Sequence, residues 1–281
     1  MENIKISKEF ILSRLQSLTG FALVFFLIEH LITNSQVVLF FNEGSRFVKM
    51  VNFYQSIPYL KFVEITLIAI PFIFHIGLGA KYLGQSDINS IPSDGKRPSL
   101  TYNRNKIFTL QRLTAYIIAL FLIFHIVEMR FIKYPKKIYI NGQEKYLVKL
   151  NSNKNLYKAG KRLNIQIVEK NNQNFIKENK LEKVKLKNKK VIAIADSFGK
   201  ATLISVFNTF QSPFEIIIYS IFVLASSFHA INGLYTFLLS WGVIFSLKHQ
   251  KLFSIGSCAV GFIVTLIGFV SIFGNLIFGV R

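Results

Sequence analysis

Five long apolar runs dominate the chain, at roughly 18–41, 59–83, 107–132, 214–247 and 252–280. Each exceeds the ~20 residues needed to cross ~30 Å of hydrocarbon as a helix. Only helices and closed barrels satisfy their backbone in lipid, and these runs lack the period-two alternation of barrel strands. The pattern predicts an all-α membrane protein with five transmembrane helices, I to V in chain order.

The stretches between the runs are polar. Residues 42–57 read as a loop, with Pro58 placed to open helix II and Pro71 expected to bend it. Residues 84–105, rich in Ser, Asp, Asn, Pro and Gly, read as a surface connection. The longest polar stretch separates helices III and IV and is expected to be a small, basic, β-rich extramembrane insertion. Asn141-Gly142 lies between alternating residues, a hairpin signal, and 165–168 and 191–195 are further strand candidates. Phe198, Leu203, Val206, Phe207 and Phe210 predict a short amphipathic helix at the membrane surface, with its charged face solvated. The expected organisation is therefore 1–134 for helices I–III, 135–195 for the insertion, and 196–281 for the amphipathic segment with helices IV and V.

Charge adds an orientation. The formal net charge is +20 over 281 residues. Lys5, Lys8 and Arg14 precede helix I, Lys81, Lys96, Arg97, Arg104 and Lys106 flank the II–III connection, and Lys248 and Lys251 link IV to V. Only Arg46, Lys49 and Lys61 fall in the I–II loop. Cations in short loops stay in the cytoplasm, so the N-terminus is expected inside and the C-terminus outside. The 68 residues 133–200 carry 18 Lys and Arg against 5 Asp and Glu, a net +13, yet long loops translocate largely regardless of charge. The insertion is thus expected outside, which leaves its charge facing solvent or membrane lipid and makes a nucleic-acid partner unexpected. The first run is too long for a signal-peptide core, and no A-x-A site follows it. A single cysteine, Cys258, provides neither a disulfide nor an iron–sulfur site, so any such cluster is expected in a partner.

The chemistry lies in four histidines. His30, His75, His125 and His229 occupy helices I to IV in succession, each well inside its apolar run. Ionisable groups in lipid are rare and usually face bundle interiors or functional cavities. His249 falls in the IV–V link and reads as a surface residue. An internal repeat registers on the four. LQSLTG in helix I matches LQRLTA in helix III, and His30 and His125 each follow their glutamine, Gln16 or Gln111, by 14 residues. His75 and His229 are each followed four residues later by a glycine, Gly79 or Gly233.

At ~1.5 Å rise per residue, His30 and His125 lie in the outer part of their helices and His75 and His229 in the inner part, levels ~12 Å apart. Two imidazoles on facing helices suit a saturated haem iron in a bundle core, which favours electron transfer over oxygen chemistry. The fold expected is then a haem-binding bundle carrying two haem b groups. Gly20, Gly77, Gly79 and Gly233 are placed to relieve crowding near a macrocycle. Arg14, Ser17, Gln111 and Arg112 are candidate propionate contacts. A zinc site or a proton relay would also use histidine, but neither explains two pairs at two depths without accompanying ligands.

The stretches SRLQSLTG…EHL, SIPYLKFVEI…PFIFHIGLG, FTLQRLT…FHIVEMR and SFHAINGLYTFLLSWG resemble the dihaem cytochrome b subunit of succinate dehydrogenase/fumarate reductase. The resemblance is to the five-helix, single-subunit anchor of succinate:menaquinone reductases, and covers 9–134 and about 196–280. It implies that His75 and His229 bind a proximal, higher-potential haem, and His30 and His125 a distal, lower-potential one. It implies a flavoprotein subunit with FAD and an iron–sulfur subunit as partners, and menaquinone or ubiquinone as substrate. Succinate chemistry would then reside in the flavoprotein, and this chain would be the non-catalytic electron-transfer subunit, a cytochrome b558 of the tricarboxylic acid cycle. Glu64, Glu128 and Arg130 are candidate quinone or proton-handling residues near the outer side. The alternative is a dihaem anchor of another quinone-linked dehydrogenase, of formate dehydrogenase or hydrogenase type.

Overall fold

A computed structural model describes residues 6–38, 44–85, 90, 102–179 and 189–280. Lys5, Lys96 and Arg97 of the orientation argument, and most of the 84–105 connection, lie outside the described residues.

Among the described residues, five helices are long and apolar enough to span a membrane: Lys8–Ser35, Leu60–Gly84, Asn103–Ile132, Pro213–Ser240 and Leu247–Ile277. Their side chains are largely uncovered by protein. Phe62, Leu67 and Ile73 of the second are 65–70% exposed. So much exposed apolar surface on helices of this length is compatible with lipid rather than water, and the chain is a multi-pass membrane protein. The first span is α1 (Lys8–Ser35). The second comprises α3 (Leu60–Glu64), a π-helical segment Ile65–Ala69, and α4 (Ile70–Gly84). It starts at Leu60 rather than Pro58, after Tyr59 in the left-handed region at φ 56°. The bend expected from Pro71 takes the form of the π segment. Pro71 has no N–H to give to the turn before it, and Ile70 N–H reaches back five residues to Ile65 O.

The third span is α5 (Asn103–Ile126), continued by a second π segment, Val127–Ile132. α9 (Pro213–Ser240) and α10 (Leu247–Val280) complete the set. His249 lies in the first turn of α10 and is exposed, as expected of a surface residue.

The residues divide into two compact units, one of Met1–His30, Tyr59–Phe121 and Ile221–Leu266, the other of Leu31–Pro58, Leu122–Ser220 and Ile267–Arg281. The second unit contains the sheet. β1 (Lys136–Ile140) and β2 (Gln143–Asn151) form the hairpin expected from Asn141-Gly142, with φ 51° and 76° at the two turn residues, as a primed turn requires. β3 (Gln166–Val168) and β4 (Lys190–Ala195) complete an antiparallel sheet in the order β1-β2-β4-β3. Central β4 is buried on both faces, so Val191–Ala195 reads as a continuous apolar run rather than an alternating one.

The insertion is not only β. α6 (Lys154–Arg162), capped by Asn153, and α7 (Gln173–Glu178), capped by Asn172, lie between the strands. Two further expectations change. Within 42–57, α2 (Ser45–Ser56) replaces the expected loop, and its Phe47 is 1% exposed in the core of this unit. α8 (Phe198–Thr209) is buried on almost every side rather than amphipathic, because β2, β4, α2 and α6 surround it. Gly199 permits this approach. A Cβ there would lie 2.5 Å from Val48 O, and its N–H donates to Asn52 Oδ1 at 2.7 Å.

Candidate functional site

Within the first unit, the paired repeat becomes a paired structure. His75 on α4 donates from Nδ1 to the carbonyl of Gln16 on α1, 3.1 Å away. His229 on α9 donates in the same way to the carbonyl of Gln111 on α5, at 3.2 Å. A carbonyl only accepts, so both rings are fixed as the Nδ1–H tautomer and each Nε2 keeps its lone pair. The threonine of each LQxLT element behaves alike. Thr19 bonds back to Leu15 and Gln16 carbonyls, and Thr114 to those of Leu110 and Gln111.

The glycines four residues after each histidine also acquire a reason. A Cβ on Gly79 would meet Gln16 Nε2 at 3.4 Å, and one on Gly233 would approach Gln111 Nε2 at 3.8 Å. Each glutamine amide therefore lies over the glycine of the partner helix. Gln111 uses this position fully, donating to His229 O at 3.1 Å and accepting from Asn232 at 2.9 Å. Leu78 stands where Asn232 would be in the first pair, and Gln16 Oε1 is buried without a hydrogen bond among the described residues. Gly20 faces the His75 ring, where a Cβ would come within 2.7 Å of Cε1. A Cβ on Gly77 would meet no protein atom within 4 Å.

The two rings are 6.3 Å apart between centroids and nearly perpendicular, at 87°. A metal–imidazole bond of ~2.0–2.1 Å on each side, with about 1.2 Å from nitrogen to ring centroid, requires ~6.4 Å. Spacing and tautomer are therefore both compatible with one metal held between the two imidazoles. Among the described residues no group of three or more His, Cys, Asp and Glu assembles that could hold a metal ion.

Arg14 and Ser17 lie together at one end of this unit. Arg14 donates to Ser240 O and stands 5.4 Å from the ring of Trp241, whose Nε1–H donates to Ser17 Oγ at 3.2 Å. Ser240 and Trp241 close the stretch SFHAINGLYTFLLSWG, which by itself carries no sign of these contacts. Arg112 is 9% exposed, with Nη2 3.5 Å from Leu83 O. His30, on α1, has Phe26 beside it at 5.5 Å. Glu64 ends α3 just before the first π segment.

The second unit holds His125. Its Nδ1 lies 3.2 Å from the hydroxyl of Tyr219, which donates to Glu128 Oε2 at 2.8 Å. Lys133 donates to the other Glu128 oxygen and, at 2.8 Å, to Thr209. Glu128 thus has an ion-pair partner, while Arg130 stacks over Tyr134 at 4.7 Å. Tyr219 and Lys133 were not legible as site residues, because a tyrosine in an apolar run and a lysine in a basic stretch carry no signal alone.

Residues 2–103 match the family described as the succinate dehydrogenase/fumarate reductase transmembrane subunit. The succinate dehydrogenase cytochrome b558 subunit of Bacillus subtilis (strain 168) is 33% identical over 126 residues, which cover 44% of this chain and 57% of that protein. The chain thus spans little more than half the length of this curated relative. Residues 2–103, which carry His30 and His75, are thus similar to succinate dehydrogenase/fumarate reductase transmembrane subunits.

Proposed function

We propose that this chain is the membrane-anchor cytochrome b subunit of a succinate:quinone oxidoreductase. In this reading it carries electrons between an iron–sulfur subunit and menaquinone or ubiquinone through two bis-histidine haem b groups. The observation that carries it is the His75–His229 pair, 6.3 Å apart with both Nδ1 atoms committed to backbone carbonyls. When bound, the haems supply one-electron chemistry across a low-dielectric layer.

The protein's own part is to hold and orient. His75 and His229 would hold the inner iron through Nε2, with the Gln16 and Gln111 carbonyls fixing both rings. Arg14, Ser17, Gln111 and Arg112 are assigned to the propionate ends. His30 and His125 are assigned to the outer iron. Glu64, Glu128 and Arg130 are assigned to the quinone or its protons, with Glu128 held as a carboxylate salt by Lys133. The reading places the N-terminus in the cytoplasm, a flavoprotein and an iron–sulfur subunit on that face, and 135–195 outside as a cover over a quinone site.

The test uses the complex isolated with its partner subunits. Dithionite-reduced minus oxidised spectra should show two b-type haems, and His75→Ala or His229→Ala should each remove one. Two intact haem signatures in both variants would overturn the assignment.

A further inference from the structure

The histidines differ in what holds their Nδ1 atoms. His75 and His229 donate to neutral backbone carbonyls. His125 instead faces the Tyr219 hydroxyl at 3.2 Å. That hydroxyl has one proton, which it donates in a hydrogen bond to Glu128 Oε2, 2.8 Å away. The phenol oxygen then accepts from Nδ1–H, which gives His125 the same tautomer as His75 and His229. Lys133 closes the chain by donating to Glu128 Oε1 and to Thr209. Tyr219 and Glu128 are each 6% exposed, so the His–Tyr–carboxylate series is shielded from water.

We infer that Tyr219 is a positioning residue for His125, coupling its imidazole to the buried Glu128–Lys133 pair and thereby lowering the potential of the outer haem. The inference rests on the reading of His125 as an iron ligand. An acceptor backed by a carboxylate draws on the Nδ1 proton more strongly than a peptide carbonyl does. The imidazole becomes a better electron donor, and the oxidised iron is favoured. Among the described residues, neither His75 nor His229 has a carboxylate-backed acceptor of this kind, so in this reading the two haems differ in potential through their surroundings, although all their ligands are histidine. Tyr219 also fixes the ring geometrically, packing edge-on to His125 with centroids 5.7 Å apart.

The test is a redox titration of the intact complex, following each haem band separately, with Tyr219→Phe and Glu128→Gln. The phenylalanine keeps the ring contact and loses only the hydroxyl. It should retain both bands and shift the lower-potential one about tenfold toward the reduced form, ~59 mV upward for one electron. Glu128→Gln, which leaves the tyrosine in place, should shift it in the same direction by less. The higher-potential band should not move in either variant. If Tyr219→Phe loses the second band, Glu128→Gln decides alone. Parental potentials with both bands retained would overturn the inference. A single haem in the unaltered complex would instead overturn the reading of His125 as a ligand, and the inference with it.

Discussion

At the scale of single residues, the first unit depends on what Gly20 lacks. A Cβ there would lie 2.7 Å from His75 Cε1 and 3.1 Å from Nδ1, in the path of the bond to the Gln16 carbonyl. Gly20→Ala should displace the ring, destabilise this contact by ~1–3 kcal/mol, and weaken one of the two haem bands in the reduced-minus-oxidised spectrum. Spectra identical to the parent would show that the ring has room to move. In the insertion, Glu144 accepts from Lys137 at 2.8 Å and from Tyr146, and these bonds hold its carboxyl below the usual range. A depressed carboxylate stabilises the folded hairpin above its unfolded value and loses that contribution as pH falls through the folded one. Lys137 is raised by the same bond, so its contribution persists at neutral pH and is lost only as strongly alkaline pH passes its folded value. Protection factors of the β1–β2 amides, referred to the intrinsic exchange rate at each pH, should therefore fall on acidification, and Glu144→Gln should flatten that dependence. Both groups are solvent-exposed, so the effect is small.

At the scale of elements, the two LQxLT helices each accept a histidine from a partner helix, α1 from α4 and α5 from α9. The repeat was legible as spacing along the chain, but the docking it encodes was not. Nothing in the sequence says that a glutamine carbonyl meets a histidine 59 or 118 residues away. α2 was missed for a related reason. Its polar outer face reads as loop, and only Phe47 and neighbouring valines reveal a helix once α8 lies against them. Asn52 anchors that contact by accepting from Gly199 N–H. Asn52→Ala should strand a part-buried donor and destabilise the insertion by ~1–3 kcal/mol, read as faster proteolysis between residues 133 and 200. Unchanged cleavage rates would show that water replaces the asparagine.

At the scale of the whole molecule, five apolar spans predict that the chain stays with the membrane after alkaline carbonate washing. Release into the supernatant would contradict the transmembrane reading. The cation bias predicts an externally exposed C-terminus, checked by reporter fusions at either end.

Length and hydropathy alone determined the five spans, because the cost of leaving peptide groups unpaired in lipid admits few alternatives. The Asn-Gly turn likewise determined the hairpin, because it supplies two residues that tolerate positive φ. The histidines announced themselves as ionisable groups in apolar runs. Tertiary structure alone decided which atoms hold their rings, that Gly79 and Gly233 make room for glutamine amides, and that Tyr219 stands between His125 and a carboxylate. These depend on contacts between distant segments. A local pattern specifies which face of a helix is apolar, but the atoms that meet across it are settled only by packing.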